Sequence, residues 1–247
     1  MLELDRVGRS FAGIHALQDV HFDVEPGSIT ALIGPNGAGK TTLINLVTGV
    51  MPPSSGRIRF EGRPIDGLGP HRVEALGIRR TFQTVHLFPG LSVRENLVIG
   101  GFRQAMRTRW ISILGLPSRD RGPQARRAAG LLEMLGLAGV ADEIATDLPY
   151  GTQRRVEIAR ALMGEPRFVL LDEPAAGMNE SETRELTDDI RLIREQGVTV
   201  FLVEHDMSLV MGVSDKVVVL NFGRLIAQGT PAQVQCHPEV IASYLGA

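Results

Sequence analysis

Only one cysteine, Cys236, occurs in the 247 residues, so the chain cannot form an intrachain disulfide. The reducing cytosol is therefore its expected compartment. Neither sign of charge predominates: 26 basic and 28 acidic residues leave a formal net charge of −2. That balance argues against a general binder of nucleic acid or of an anionic membrane surface. No apolar run approaches the roughly 18 residues needed to cross a bilayer. Met1-Leu2-Glu3-Leu4-Asp5 has neither the charged nor the apolar region of a signal peptide. Both readings point to a soluble protein whose ties to a membrane come through partners. The six histidines show no metal-ligand spacing, and repeats and low-complexity segments are missing. What remains is an ordinary globular composition, 43% hydrophobic and 22% charged. The length suffices for one large domain or a core with a subdomain.

Against that plain background one stretch stands out: Gly34-Pro35-Asn36-Gly37-Ala38-Gly39-Lys40-Thr41-Thr42. It has the spacing of a phosphate-binding loop, Gly, four residues, then Gly-Lys-Thr. The apolar run Ile29–Ile33 before it suits a buried strand, and residues 41–50 after it read as a helix. The glycines let the backbone curl around a phosphate with its N–H groups inward, some of them at positive φ. The helix adds its positive end. Lys40 is expected to reach the outer phosphates and the Thr41 hydroxyl to bind Mg²⁺, so the chain is expected to bind a nucleoside triphosphate.

Residues 2–7 and 20–24 read as short strands joined by residues 8–19, and Pro26-Gly27 turns the chain into the strand at 29–33. Phe11, 23 positions ahead of Gly34, suits either stacking on a purine ring or burial in a core. Pro52–Gly56 is a loop, followed by strands at 57–60 and 77–82. Gln83 ends the second of these, where its amide oxygen can meet Mg²⁺ or an attacking water, or simply face solvent. From about Thr84 to Ala161 strand-like runs give way to helical ones at 93–100, 124–135 and 152–163, the pattern of an inserted helical subdomain. Within it, residues 103–127 carry seven Arg against one Asp, with the sole tryptophan, Trp110. That stretch suits a contact with lipid headgroups or protein, or a solvated face with one anchoring ring.

Phe168–Leu171 is apolar without alternation, as in a strand buried on both faces of a parallel sheet. It runs into Asp172-Glu173-Pro174 at the end of the sheet where α/β proteins bind ligands. One carboxylate there can hold Mg²⁺ and the next can orient or deprotonate a water aimed at the γ-phosphate. Residues 180–195 form a charged amphipathic helix and 198–203 a second buried strand, after which comes His205. Strands at 217–220 and 224–227, a turn at Asn221-Phe222-Gly223 and short helices from about Pro231 complete the chain.

Taken in order, these motifs resemble the ATP-binding subunits of ABC transporters over essentially the whole chain. The stretches that carry the resemblance are Phe11, Gly34–Thr42, Gln83, Leu148–Gln153, Asp172-Glu173, Ala176–Asn179 and His205. Within that superfamily the chain looks like the ATPase of branched-chain amino-acid importers. Arg79–Gln83, Tyr150–Arg155, Leu171–Asn179, Val203–Met207 and the ending Pro238–Gly246 are the stretches concerned. Importers of urea or short amides, and soluble ABC ATPases without a permease, are the neighbouring alternatives.

The resemblance implies a P-loop NTPase with a RecA-like α/β core, about 1–83 and 162–247. A small N-terminal antiparallel β-subdomain and a helical subdomain at about 84–161 would complete one ABC ATPase domain. It also implies that Phe11 stacks on adenine and that Thr41, Gln83 and Asp172 organise Mg²⁺. Glu173 would polarise water, and Lys40 and His205 would act on the γ-phosphate. ATP would be shared between one chain's phosphate loop and Tyr150, Gly151 and Thr152 of a second ATPase subunit. Integral-membrane permease subunits on the inner face of the plasma membrane, and indirectly a solute-binding protein, would be the other partners. The usual family signature, Leu-Ser-Gly-Gly-Gln, here reads Leu148-Pro149-Tyr150-Gly151-Thr152. Contact with phosphate would then rest on the Gly151 amide, the start of the following helix and the Thr152 hydroxyl.

Overall fold

The computed structural model describes residues 1–101 and 122–245. Two sheets carry the chain. The smaller is antiparallel, in the order β2 (Ile14–Val24), β1 (Leu2–Phe11), β4 (Ser55–Phe60), β5 (Arg63–Pro64). The larger has the order β10 (Arg224–Gly229), β9 (Lys216–Asn221), β3 (Ile29–Ile33), β8 (Thr199–Val203), β7 (Phe168–Asp172), β6 (Ile78–Arg80). Its neighbours are parallel except for the β9–β10 hairpin at the edge.

Every residue of β3, β7 and β8 is buried, which is why these strands read as unbroken apolar runs. One face of the large sheet packs through Leu32, Phe168, Leu170 and Phe201 on the small sheet's Leu2, Val20 and Phe60. The other face shares a core with helices through Ile29, Leu171, Val200 and Leu202. Registry aligns Leu32 and Asp172 with Val203, so the segments leaving β3, β7 and β8 emerge side by side at the carboxyl edge.

The helices are α1 (Lys40–Val47), α2 (Pro70–Ala75), α3 (Val93–Gly100), α4 (Pro123–Met134), α5 (Tyr150–Leu162), α6 (Glu180–Glu195), α7 (Met207–Val213), α8 (Pro231–Gln235) and α9 (Pro238–Leu245). Among the described residues between β6 and β7 no strand forms beyond a single bridge, Ser92 to Ile144. Helix α3 begins in a reciprocal cap, Ser92 Oγ accepting from Glu95 N–H while Glu95 accepts from Ser92 N–H. The buried faces of α3, α4 and α5 (Leu97, Leu131, Ile158) join the same core cluster as the large sheet. Among the described residues no helix is long and apolar enough to cross a membrane.

The first hairpin is longer than expected. β1 and β2 run to Phe11 and Ile14, joined by Ala12 and Gly13, both at positive φ as a tight twisted hairpin turn requires. Register shifts after Leu4 and positive φ at Arg6 and Asp19 break the alternation, so the middle of each strand looks like loop. Phe11 therefore ends β1 rather than lying between strands. Helix α1 stops at Val47 because Gly49 (φ 72°) turns the chain out of the helix. Helices α2 and α7 were not expected; each is shorter than two turns, too brief to set a period. Most of the basic 103–127 stretch, Trp110 included, lies outside the described residues.

Candidate functional site

The phosphate loop leaves β3 and enters α1 with Gly34, Gly37 and Gly39 at φ 152°, 78° and 102°. At Gly34 the requirement is also steric, because a Cβ would lie 2.2 Å from the Leu220 carbonyl oxygen. Lys40 is buried, and its ammonium donates to Gly34 O at 2.5 Å and Pro35 O at 3.2 Å. Burial pushes its pKa down, while Glu173 and Asp172 pull it back up. The loop borders a cavity of about 580 Å³ lined by Asn36–Thr42, Glu173, His15 and the β9–β10 turn. That volume is in the range of small-ligand sites.

The turn is pinned to the loop. Gly223 N–H donates to Ala38 O at 3.0 Å, and Gly223 O accepts from Gln18 N–H at 2.8 Å. Phe222, at φ 43°, is thereby held 82% exposed at the cavity wall. It was not singled out from the sequence. Phe11 is not among the lining residues; its ring lies under the Arg9 guanidinium at 4.6 Å.

Asp172 and Glu173 leave the end of β7, and Glu173 N–H donates to Val203 O at 2.8 Å. Glu173 adopts φ 46°, uncommon for a side chain of its size. Gln83 Nε2 donates to Glu173 Oε2 at 2.7 Å, so the two predicted residues meet directly. Asp172 Oδ2 is paired with Arg80 Nη2 at 2.8 Å, and Arg80 Nη1 donates to Asn45 Oδ1 at 2.9 Å. Arg80 reaches Asp172 only because β6 lies beside β7, which no local pattern reveals. Tyr244 of α9 is partly exposed. Burial raises its phenol pKa, and a hydrogen bond with the Gly34 backbone opposes that rise.

Thr41, Gln83 and Asp172 offer a hydroxyl, an amide oxygen and a carboxylate at this edge. These are hard oxygen donors, the set that suits Mg²⁺ completed by substrate phosphates and water. Among the described residues no cluster of three or more His, Cys, Asp or Glu could hold a metal ion.

His205 follows β8 with its imidazole 62% exposed and Nδ1 3.8 Å from Glu204 Oε2. Tyr150, Gly151 and Thr152 start α5 and do not line the cavity of their own chain. The helix begins at Tyr150, not Thr152, with Pro149 as its cap, so all three residues present first-turn N–H groups. Gly151 is confined, since a Cβ there would lie 2.6 Å from the Glu182 carboxyl carbon. Glu182 in turn accepts from Asn179 N–H in the cap of α6.

A buried cluster ties α5 to the segment around Gln83. Arg154 is fully buried and donates to the carbonyl oxygens of Phe82 and Gln83, to Glu157 Oε2 at 2.7 Å and to Tyr150 Oη at 3.2 Å. Glu157 Oε1 accepts from His86 N–H at 3.4 Å. Burial raises the Glu157 pKa and Arg154 opposes it. Spacing alone shows an i, i+3 pair on a helix, not its burial or its distant partners.

The profile described as ABC transporter matches residues 17–176, more than half of the chain. The chain belongs to the ABC transporter family. A second family profile, branched-chain amino acid ATP-binding cassette transporter, matches residues 224–247. Full-length relatives of this ABC protein include the high-affinity branched-chain amino acid transport ATP-binding protein LivG of Escherichia coli K12. It is 41% identical over 249 residues, covering 100% of this chain and 98% of the relative. BraF of Pseudomonas aeruginosa, with the same description, is 43% identical at the same coverage. Among solved structures, the ADP conformation of MJ1267, an ATP-binding cassette of an ABC transporter, superposes with a TM-score of 0.88. It shows 31% identity, covering 100% of this chain and 99% of that one. The fold expected from the sequence, an α/β P-loop NTPase, is therefore correct for this family member, and its activity is that of an ATPase.

Proposed function

We propose that this ABC ATPase drives an importer of branched-chain amino acids. The observation that carries the reading is full-length likeness to LivG and BraF, which extends through the signature region and the C-terminal helices. Two copies, or one copy and a paralogue, would pair head to tail. ATP would bind between the Lys40 loop of one and the first-turn amides of Tyr150, Gly151 and Thr152 of the other. ATP contacts both faces only in the closed pair, which is the differential affinity that a population shift requires. When bound, Mg²⁺ supplies positive charge against the phosphate oxygens, held by Thr41, Gln83 and Asp172. Glu173, set beside the phosphate loop and bonded to Gln83, would take a proton from the attacking water. His205 would donate to the γ-phosphate, and Lys40 with the loop amides would neutralise phosphate charge. Phe11 is assigned to the adenine ring, at the outer end of the first hairpin.

The helical subdomain, about 84–161, and the segment around Gln83 would pass closure to the permease. In support, Phe82, Phe88 and Ile99 are exposed apolar side chains, and a cavity of about 410 Å³ opens between Phe88, Ile99 and Arg160. The protein would thus work at the cytoplasmic face of the plasma membrane, served by a solute-binding protein that it does not touch. Two measurements test the reading. Lys40→Ala should lose tight ATP binding, and full ATPase activity in that variant refutes the site. Deleting the gene should abolish uptake of labelled leucine, isoleucine and valine; intact uptake with lost urea or amide transport would assign the chain to a different importer.

A further inference from the structure

Glu204 is the buried acid that the hydrolytic scheme leaves unused. It follows β8 directly, is 0% exposed, and its backbone N–H donates to Leu32 O at 3.3 Å. Its carboxylate accepts three backbone donors: Ala175 N–H on Oε1 at 2.8 Å, and His205 N–H and Asp206 N–H on Oε2 at 2.9 and 3.2 Å. Among the described residues no Lys or Arg forms an ion pair with it; the His205 ring, 3.8 Å away, is the nearest basic group. A carboxylate taken out of water without a cation is costly, and is tolerated where charge-assisted bonds from fixed N–H groups replace hydration.

The donors belong to two different segments. Ala175 lies two residues beyond Glu173, in the segment leaving β7, whereas His205 and Asp206 open the segment leaving β8. Glu173 sits at φ 46°, a conformation that persists only where the surroundings enforce it. Its amide is fixed on Val203 O upstream, and Ala175 is fixed on Glu204 downstream. On the other side, Asp206 caps α7 by accepting from Ser208 and Leu209 N–H, so the His205 segment is held at both ends.

We infer that Glu204 is a positioning residue for hydrolysis: its carboxylate sets the spacing between the Glu173 segment and the His205 segment. The inference rests on the proposed roles of Glu173 and His205. The phosphate loop comes from β3 and receives no side-chain bond from Glu204, so nucleotide affinity does not depend on it to the same degree. Glu204→Gln preserves shape but places an NH₂ group against either the Ala175 N–H or those of His205 and Asp206.

The test compares wild type and Glu204→Gln by steady-state ATPase assay and by titration with a fluorescent ATP analogue. The inference predicts a fall in kcat of tenfold or more with the dissociation constant changed less than threefold. It also predicts at least tenfold faster amide exchange on the side that the NH₂ faces, at Ala175 or at His205 and Asp206. Equal losses of affinity and turnover would mean a general structural role and overturn the inference, as would unchanged kcat. Should Glu204→Gln not fold, amide exchange in the wild-type protein decides instead. Protection of all three amides supports the bridge; exchange at the rate of exposed turns overturns it. Wild type without ATPase activity would refute the underlying catalytic reading, a result distinct from an active wild type with an unaffected variant.

Discussion

Arg154→Met should be among the most destabilising single changes outside the phosphate loop. The guanidinium is fully buried and serves the Phe82 and Gln83 carbonyls, Glu157 and Tyr150. Methionine restores much of the volume but none of the donors, leaving Glu157 without its hydrogen-bonded cation next to two carbonyls that lose theirs. Breaking a buried pair by removing one partner costs about 3–5 kcal/mol. At roughly 2–4 °C per kcal/mol for a chain of this size, the melting temperature should fall by about 10 °C. Replacing both partners, as Arg154→Met with Glu157→Met, removes the stranded charge, so the double variant should recover about 2 kcal/mol relative to the sum of the singles.

The pH dependence has a definite sign. Burial already raises the Glu157 pKa and Arg154 opposes that rise. Without Arg154 the folded-state value climbs further above the unfolded one. Such a carboxyl favours the folded state when protonated, and that contribution is lost as pH rises through the raised value. The melting deficit of Arg154→Met should therefore be smaller at pH 5 than at pH 8. Calorimetric scans of the wild type, both singles and the double at the two pH values test this. Additive single effects, or a deficit that grows on acidification, would refute the reasoning.

Gly34→Ala would put a Cβ 2.2 Å from the Leu220 carbonyl oxygen at a φ that side chains avoid. The overlap and strain together should cost about 3 kcal/mol or more, read as a fall in melting temperature of several degrees; no fall would contradict the geometry. Glu173→Gln should bind ATP without turnover and elute as a dimer in gel filtration with ATP and Mg²⁺, and elution as monomer only would count against the closed pair. In that background, Pro149→Ser with Thr152→Gln gives up the Thr152 hydroxyl for the serine and glutamine donors of the usual signature. A net gain of one charge-assisted bond, about 1.5–3 kcal/mol, should tighten ATP-driven dimerisation roughly 10–100-fold. Unchanged dimer affinity by sedimentation would show that the first-turn amides already suffice.

What could be read along the chain is what depends on neighbours in sequence. The phosphate loop, the buried runs of β3, β7 and β8, and the helices Val93–Gly100 and Glu180–Glu195 all follow from local periodicity and turn chemistry. The same holds for Asp172 and Glu173 at a strand end, since the carboxyl edge of such a sheet is where its loops converge. The full length of the first hairpin is not legible in the sequence, because bulges and positive φ at Arg6 and Asp19 erase the alternation that marks a strand.

The pairings across the sheet and between its layers were decided by tertiary structure alone. Arg80 finds Asp172 because β6 and β7 are adjacent, and Arg154 finds carbonyls more than seventy residues away because α5 packs under the segment around Gln83. Glu204 collects donors from two segments that meet only when β7 and β8 pair in register. A sequence records which groups carry charge and hydrogen-bonding capacity. Which of those groups lose water, and which partners replace it, is settled only when distant strands and helices close over them.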